Sequence, residues 1–345
     1  MVAEGGIAMI GLLGFLALSM SASGPSFNDL MNTMRGFQES RVLLAAVELD
    51  IFSAVGKGAT ASEVAGRLQA HPRSTETFLN ALVAIGALSK SGDVFRNTPD
   101  TARYLVAGSP DNQRPALMHT VHVWKAWTTL TDAVRAGTAV VPPGVDGRDA
   151  EWTQAFIAAM HRGALSAAPA VVETVGAAGV RRLLDLGGGS GAYSIAFAQA
   201  NPELRAEVLD LDSVVPIAQK HIDEAGLAGR VTTRVGDLLT DEFGAAYDLV
   251  LLSAICHMFG PEENQDLLRR SYRALTPGGR VVIRDFVLEP DKTAPKGAAL
   301  FALNMLVATR TGSTYSEAEY TSWLKGAGFV RVTRPQPDLL IAHRP

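Results

Sequence analysis

The chain has 345 residues, nearly half of them hydrophobic, so it can bury ample core and is long enough for about two domains. A net charge of −4 leaves no basic footprint for nucleic acid or an anionic membrane, so the expected partner is a small molecule. The single cysteine, Cys256, excludes an intramolecular disulfide framework and fits a reducing, cytoplasmic setting.

Residues 7–20 form an apolar run followed by Ser21-Ala22-Ser23-Gly24, which imitates the hydrophobic region and cleavage site of a secretory signal. No Lys or Arg precedes the run, Glu4 does, and the run is shorter than the roughly 20 residues that span a bilayer. Residues 1–35 are therefore expected to be a leader, disordered or left by an upstream translation start. Over residues 36–52, Phe37, Val42, Leu43, Ala46, Val47 and Phe52 recur at helical spacing. Thr60-Ala61-Ser62-Glu63 offers a capped helix start, and Ser74 opens a second helix whose apolar positions are Phe78, Leu79, Leu82 and Ile85. A hairpin-like stretch over 89–98 completes a winged-helix outline within residues 36–107. Taken alone that outline suggests DNA binding, but Arg73 on the second helix is offset by Glu76 and little else there is charged.

Residues 108–165 read as a helical linker region. One helix is expected over 114–136, carrying Met118, His119, His122, Trp124 and Trp127, and another over 149–162, with a break at Pro142-Pro143-Gly144 between them. A separate Ala-rich helix is expected over 166–179, at the start of a second domain, 166–345, in which strands and helices alternate as in a parallel sheet covered on both faces.

That domain opens on Leu183-Leu184-Asp185-Leu186-Gly187-Gly188-Gly189-Ser190-Gly191, an apolar strand, a glycine-rich turn and a helix start. Glycines open backbone dihedrals closed to other residues and leave no Cβ between the loop and a ligand, while the helix offers free N–H groups to an anion. About 20 residues on, a second strand ends in Asp210, a carboxylate suited to ribose hydroxyls. A third strand ends in Gly236-Asp237, and a fourth runs through Ser253 into Ala254-Ile255-Cys256-His257. Each delivers a polar group to its C-terminal end, the edge at which open parallel sheets bind ligands. The pattern Gly187-x-Gly189-x-x-Ala192 with Asp210 also satisfies a relaxed dinucleotide fingerprint, which keeps an NAD-dependent oxidoreductase as an alternative. Cys256 is discounted as a nucleophile, since neighbours on a strand face opposite ways. No His, Cys or carboxylate cluster has metal-ligand spacing, so no metal is expected.

From about Phe37 to its end the chain resembles the two-domain O-methyltransferases of the caffeate and acetylserotonin type, which use S-adenosylmethionine (SAM), and especially their bacterial relatives. The matching pieces, in order, are LLDLGGGSG from Leu183, VLDLDSV from Val208, RVGDLL from Arg234, LLSAICHMF from Leu251, LTPGGRVVIRDF from Leu275 and FALNMLV from Phe301. The resemblance implies an α/β, Rossmann-like class I methyltransferase sheet behind a mostly helical, winged-helix dimerisation domain that helps close the partner subunit's site in a homodimer. It implies cofactor contacts from Asp185, Gly187 and Gly189 in the loop, from Asp210 to ribose, from Asp237 and Leu238 beside adenine, and from Ser253, where the plant members have Lys. His257 falls on the family's general base, Asp285 on the acid that holds its imidazole, and Met160, Asn304 and Met305 on the acceptor pocket. Met258 and Phe259 replace the Asp and Trp usual after that histidine, and a second acidic position falls on Thr314. The expected reaction is transfer of the SAM methyl to a hydroxyl oxygen of an aromatic or polyketide-like molecule. Transfer to carbon or nitrogen, a homologue with non-methylating chemistry, and a SAM-binding regulator are the remaining alternatives.

Overall fold

The computed structural model describes residues 24–140 and 149–345. The apolar run over 7–20 and the Pro142-Pro143-Gly144 break lie outside the described residues.

Helices α1 (Phe27–Arg35), α2 (Phe37–Glu48), α3 (Ile51–Val55), α4 (Ala61–Leu68), α5 (Pro72–Ala84) and α6 (Pro99–Tyr104) surround a small antiparallel sheet of β1 (Ala59–Thr60), β2 (Leu88–Ser91) and β3 (Val94–Asn97). The last nine residues of the expected leader are thus a helix: Ser26 caps α1, its hydroxyl taking the Asp29 N–H while the Asp29 carboxylate takes the Ser26 N–H. Thr60 and Glu63 form the same reciprocal cap on α4, as the sequence predicts. The single helix expected over 36–52 is broken, because Asp50 turns into the left-handed region (φ 55°) and separates α2 from α3. The carbonyls that this break frees are met by Arg114, whose guanidinium donates to Val47 O at 2.9 Å and Glu48 O at 3.3 Å.

Arg114 opens α7 (Arg114–Trp127), followed by α8 (Leu130–Ala136). Here too one expected helix is two, since the Thr128 and Thr129 hydroxyls donate back to Lys125 O and Ala126 O at 2.7 Å and compete with the helical ladder. The opposite error occurs in α9 (Ala150–Val175), which runs unbroken for 26 residues through Pro169 where two helices are expected. The domain boundary placed between 165 and 166 lies inside it. By length and composition α9 could cross a membrane; it packs against α7 and α10.

Beyond α9 come β4 (Arg182–Leu186), α10 (Ala192–Ala200), β5 (Arg205–Asp210), α11 (Val215–Glu224), β6 (Val231–Val235), β7 (Tyr247–Ser253), α12 (Pro261–Ala274), β8 (Leu275–Arg284), β9 (Val287–Leu288), α13 (Lys296–Ala308), β10 (Tyr315–Ser316), α14 (Glu317–Gly326), β11 (Val330–Gln336) and β12 (Leu339–His343). Seven strands make one sheet in the order β11-β12-β8-β7-β4-β5-β6, the five from β8 to β6 parallel and β12 antiparallel to both its neighbours. Strand period two divides the core: Leu184, Leu186, Val250, Leu252 and Ile283 pack on one face, and Leu183, Val208, Leu249, Leu251 and Val282 on the other. Strand order reverses at β4, with β5 on one side and β7 on the other. A crevice opens at such a switch point beyond the C-terminal strand ends.

Candidate active site

The glycine loop sits in that crevice. Gly187 leaves β4 with φ 64°, and its N–H donates to Leu209 O at 2.8 Å. A Cβ on Gly187 would lie 2.3 Å from Ile255 Cδ1, so a bare backbone is required there sterically as well as conformationally. Asp210, ending β5 alongside, accepts the Gly189 N–H at 2.7 Å on Oδ2 and the Leu211 N–H at 2.8 Å on Oδ1. Burial raises its carboxyl above the usual range, against the pull of those two donors. Each oxygen keeps a second lone pair for a diol.

Asp185 lies underneath. It is fully buried, accepts the Ser194 hydroxyl at 2.8 Å, and burial pushes its carboxyl up to about 7. A Cβ on Gly188 would lie 2.7 Å from Asp185 Cγ, so the carboxyl sits directly against the loop. Asp237 and Leu238 follow β6, the next strand end. Asp237 is partly exposed and caps its own turn by accepting the Leu239 N–H at 2.8 Å, and Leu238 is buried. Ser253, partly exposed, ends β7 in register with Arg284.

The chain then turns through Ala254 (φ 59°) into a short 3-10 turn, Cys256–Met258. His257 is buried, its Nδ1 2.6 Å from Asp285 Oδ1, while its backbone N–H donates to Oδ2 at 3.1 Å. Asp285 also accepts the Phe286 N–H at 2.8 Å, and its side chain has no exposed surface, so it is not an ordinary solvated strand end. Cys256 is buried and burial raises its thiol pKa, which leaves it without the thiolate a nucleophile needs. Thr314 is buried with its hydroxyl donating to Ala298 O at 3.1 Å. The carboxylate bonded to the imidazole is Asp285.

Beside His257 stand two rings, Phe286 and Phe301, to which the sequence assigned no role. The Phe301 ring meets the imidazole edge-on at 4.9 Å and stacks on Phe286 at 3.8 Å, and Phe286 is half-exposed. Asn304, one turn along α13 from Phe301, accepts the Trp127 indole N–H at 2.9 Å, which tethers α13 to α7. The signal for Trp127 and Phe301 was present, but aromatic residues at helical spacing are as easily core. Met160 is exposed on α9, whereas Met305 is buried at 4% exposure and packs rather than faces open space. Among the described residues no group of three or more His, Cys, Asp or Glu is placed to hold a metal.

A glycine loop whose backbone faces the crevice, a partly exposed carboxylate at the neighbouring strand end and a helix N-terminus together define an α/β enzyme with a seat for a nucleoside-bearing cofactor. A family model for the O-methyltransferase domain matches residues 127–330, and one for the O-methyltransferase dimerisation domain matches residues 31–107. The chain belongs to the O-methyltransferase family and is a SAM-dependent methyltransferase, which disposes of the NAD reading of the loop. It is 35% identical over 305 residues, 87% of this chain and 88% of the relative, to a 3-hydroxy-5-methyl-1-naphthoate 3-O-methyltransferase of Streptomyces sahachiroi. It is 31% identical over 308 residues, 85% and 84% of the two chains, to an L-tyrosine C(3)-methyltransferase of Streptomyces lavendulae. The solved structure of PigF with S-adenosylhomocysteine (SAH), 27% identical, superposes with a TM-score of 0.84 over 93% of this chain and 100% of that one.

Proposed function

We propose that the chain methylates a hydroxyl oxygen of an aromatic or polyketide-like small molecule, with His257 as general base and Asp285 as the residue that positions it. The observation that carries this is the 2.6 Å contact between Nδ1 and a fully buried carboxylate. Such a partner holds the proton on Nδ1 and leaves Nε2 bare to accept another from an acceptor hydroxyl. When bound, SAM supplies an electrophilic methyl on a sulfonium. The glycine loop, through Gly187 and Gly189, seats its methionine end, Asp210 takes the ribose hydroxyls, and Asp237, Leu238 and Ser253 border the adenine. Asp185 supports that seat from below. The half-exposed Phe286, stacked on Phe301 beside the base, suits a planar acceptor, with Met160 and Asn304 at its margin.

The active form is a homodimer. The matched dimerisation domain supports this, as do Phe27, Leu30, Met34 and Phe37, which expose a continuous apolar stripe on α1 and α2. The slightly acidic net charge of −4 supports small-molecule chemistry without nucleic acid or membrane partners.

The test is transfer of labelled methyl from SAM to a panel of phenolic and polyketide acceptors. His257→Ala and Asp285→Asn should each lower turnover by about 10² to 10⁴ with SAH affinity kept. Unchanged turnover in His257→Ala would remove the base role. The C(3)-methyltransferase relative favours transfer to carbon as the second reading, and mass and NMR analysis of the product separates an O-methyl from a C-methyl.

A further inference from the structure

The glycine loop is held by its neighbours β5 and Asp210, and also by a helix outside the sheet. His161 on α9 places Nδ1 2.8 Å from the hydroxyl of Ser190, the loop residue just before the N-cap of α10, and Ser190 is buried at 3% exposure. Ile157, one turn earlier on the same face of α9, has its Cδ1 3.8 Å from the position a Cβ would take on Gly189. A single turn of α9 thus covers the loop, one residue apolar and one polar. The imidazole is oriented from its other side by His221 of α11, whose ring stacks on it at 4.0 Å and 14°, and His221 is itself 3.6 Å from the Glu224 carboxylate. Burial and the neighbouring His221 lower the His161 pKa, which favours the neutral ring.

This helix is also the one that carries Met160 and that packs on α7, where Arg114 is bonded to the end of α2. The residues between Arg114 and Ser190 therefore join the dimerisation half to the cofactor loop through packed helices, with the His161–Ser190 hydrogen bond as the last link.

We propose that His161 is a positioning residue for the cofactor: by bonding Ser190 it fixes the glycine loop in the conformation that receives SAM, and it makes the seat of α9 a determinant of cofactor affinity. The inference rests on the cofactor seat and is independent of whether His257 is the base.

SAH titrated calorimetrically into the full-length protein tests it. His161→Ala should weaken SAH binding about five-fold, the worth of one hydrogen bond, and Ser190→Ala by a similar factor. The double variant should be no weaker than either single one, because both remove the same bond. His161→Asn, whose amide nitrogen lies near the position of Nδ1, should recover most of the affinity, and in turnover the loss should appear in the KM for SAM with kcat kept. Wild-type SAH affinity in both His161→Ala and Ser190→Ala overturns the proposal. So does a double variant whose losses multiply, or a His161→Asn no better than His161→Ala at equal thermal stability.

Discussion

Replacing Gly187 by Ala tests whether the loop is glycine for steric as well as conformational reasons. At φ 64° a residue with a side chain costs about 1–2 kcal/mol in backbone energy. The added Cβ would sit 2.3 Å from Ile255 Cδ1, 3.1 Å from its Cγ1 and 3.3 Å from Leu238 Cδ1, so Ile255 must leave its rotamer, at about 1 kcal/mol more. Gly187→Ala should therefore destabilise the fold by about 2–3 kcal/mol. Gly189→Ala is the control: its φ of 58° carries the same backbone cost, but nothing stands nearer to its Cβ than Ile157 Cδ1 at 3.8 Å, so about 1–2 kcal/mol is expected. Urea unfolding followed by circular dichroism measures both, read as midpoint shifts at constant slope. Ile255→Ala in the Gly187→Ala background should recover part of the difference, since it removes the colliding atoms. If Gly187→Ala cost no more than Gly189→Ala, or Ile255→Ala brought no relief, the collision would not be what excludes a side chain there.

The remaining predictions concern carboxylates. Asp185 has a folded-state pKa raised to about 7 by burial, against 3.8 as the ordinary value. The folded chain therefore binds its proton more tightly than the unfolded one, and this group's contribution to stability declines as pH rises from about 4 to about 7. Asp185→Asn, which can still accept the Ser194 hydroxyl, should gain melting temperature over wild type at pH 8 and lose that advantage near pH 4. An advantage equal at both pH values would contradict the assignment. Asp210→Ala removes the acceptor of the Gly189 N–H along with the ribose partner, so SAH should bind at least ten-fold more weakly in a protein that still folds. An unaltered dissociation constant would take Asp210 out of the site.

The strand alternation after Val180 and the polar residue at each strand end were legible in the sequence because a parallel sheet buries both faces and presents one edge, a pattern confined to short windows. Asp210 and the loop met as expected, as did His257 and Asp285. What failed to read was where helices break. The Asp50 turn depends on Arg114, 64 positions away, taking the freed carbonyls, and α9 survives Pro169 because its packing on α7 and α10 outweighs a local propensity. The burial of Asp185 and Met305 was illegible for a similar reason: strand parity and helix facing decide whether a side chain turns to solvent or to core, and a motif match does not carry that information. His161 and Ser190 were invisible for want of any local pattern, since a bond across 29 residues is set by how a helix lies over a loop.

The position of strand β12 bears on how the sheet is closed. Strand β12 lies between β8 and β11, its residues 339–343 pairing with 280–284, and the carbonyl of Asp338 accepts the N–H of Asp285 at 2.9 Å. The residue bonded to the His257 imidazole thus takes its backbone partner from a position 53 residues further along the chain. A chain without residues 339–343 would lose Leu339, Leu340 and Ala342 from the core and leave the edge of β8 open to a foreign strand.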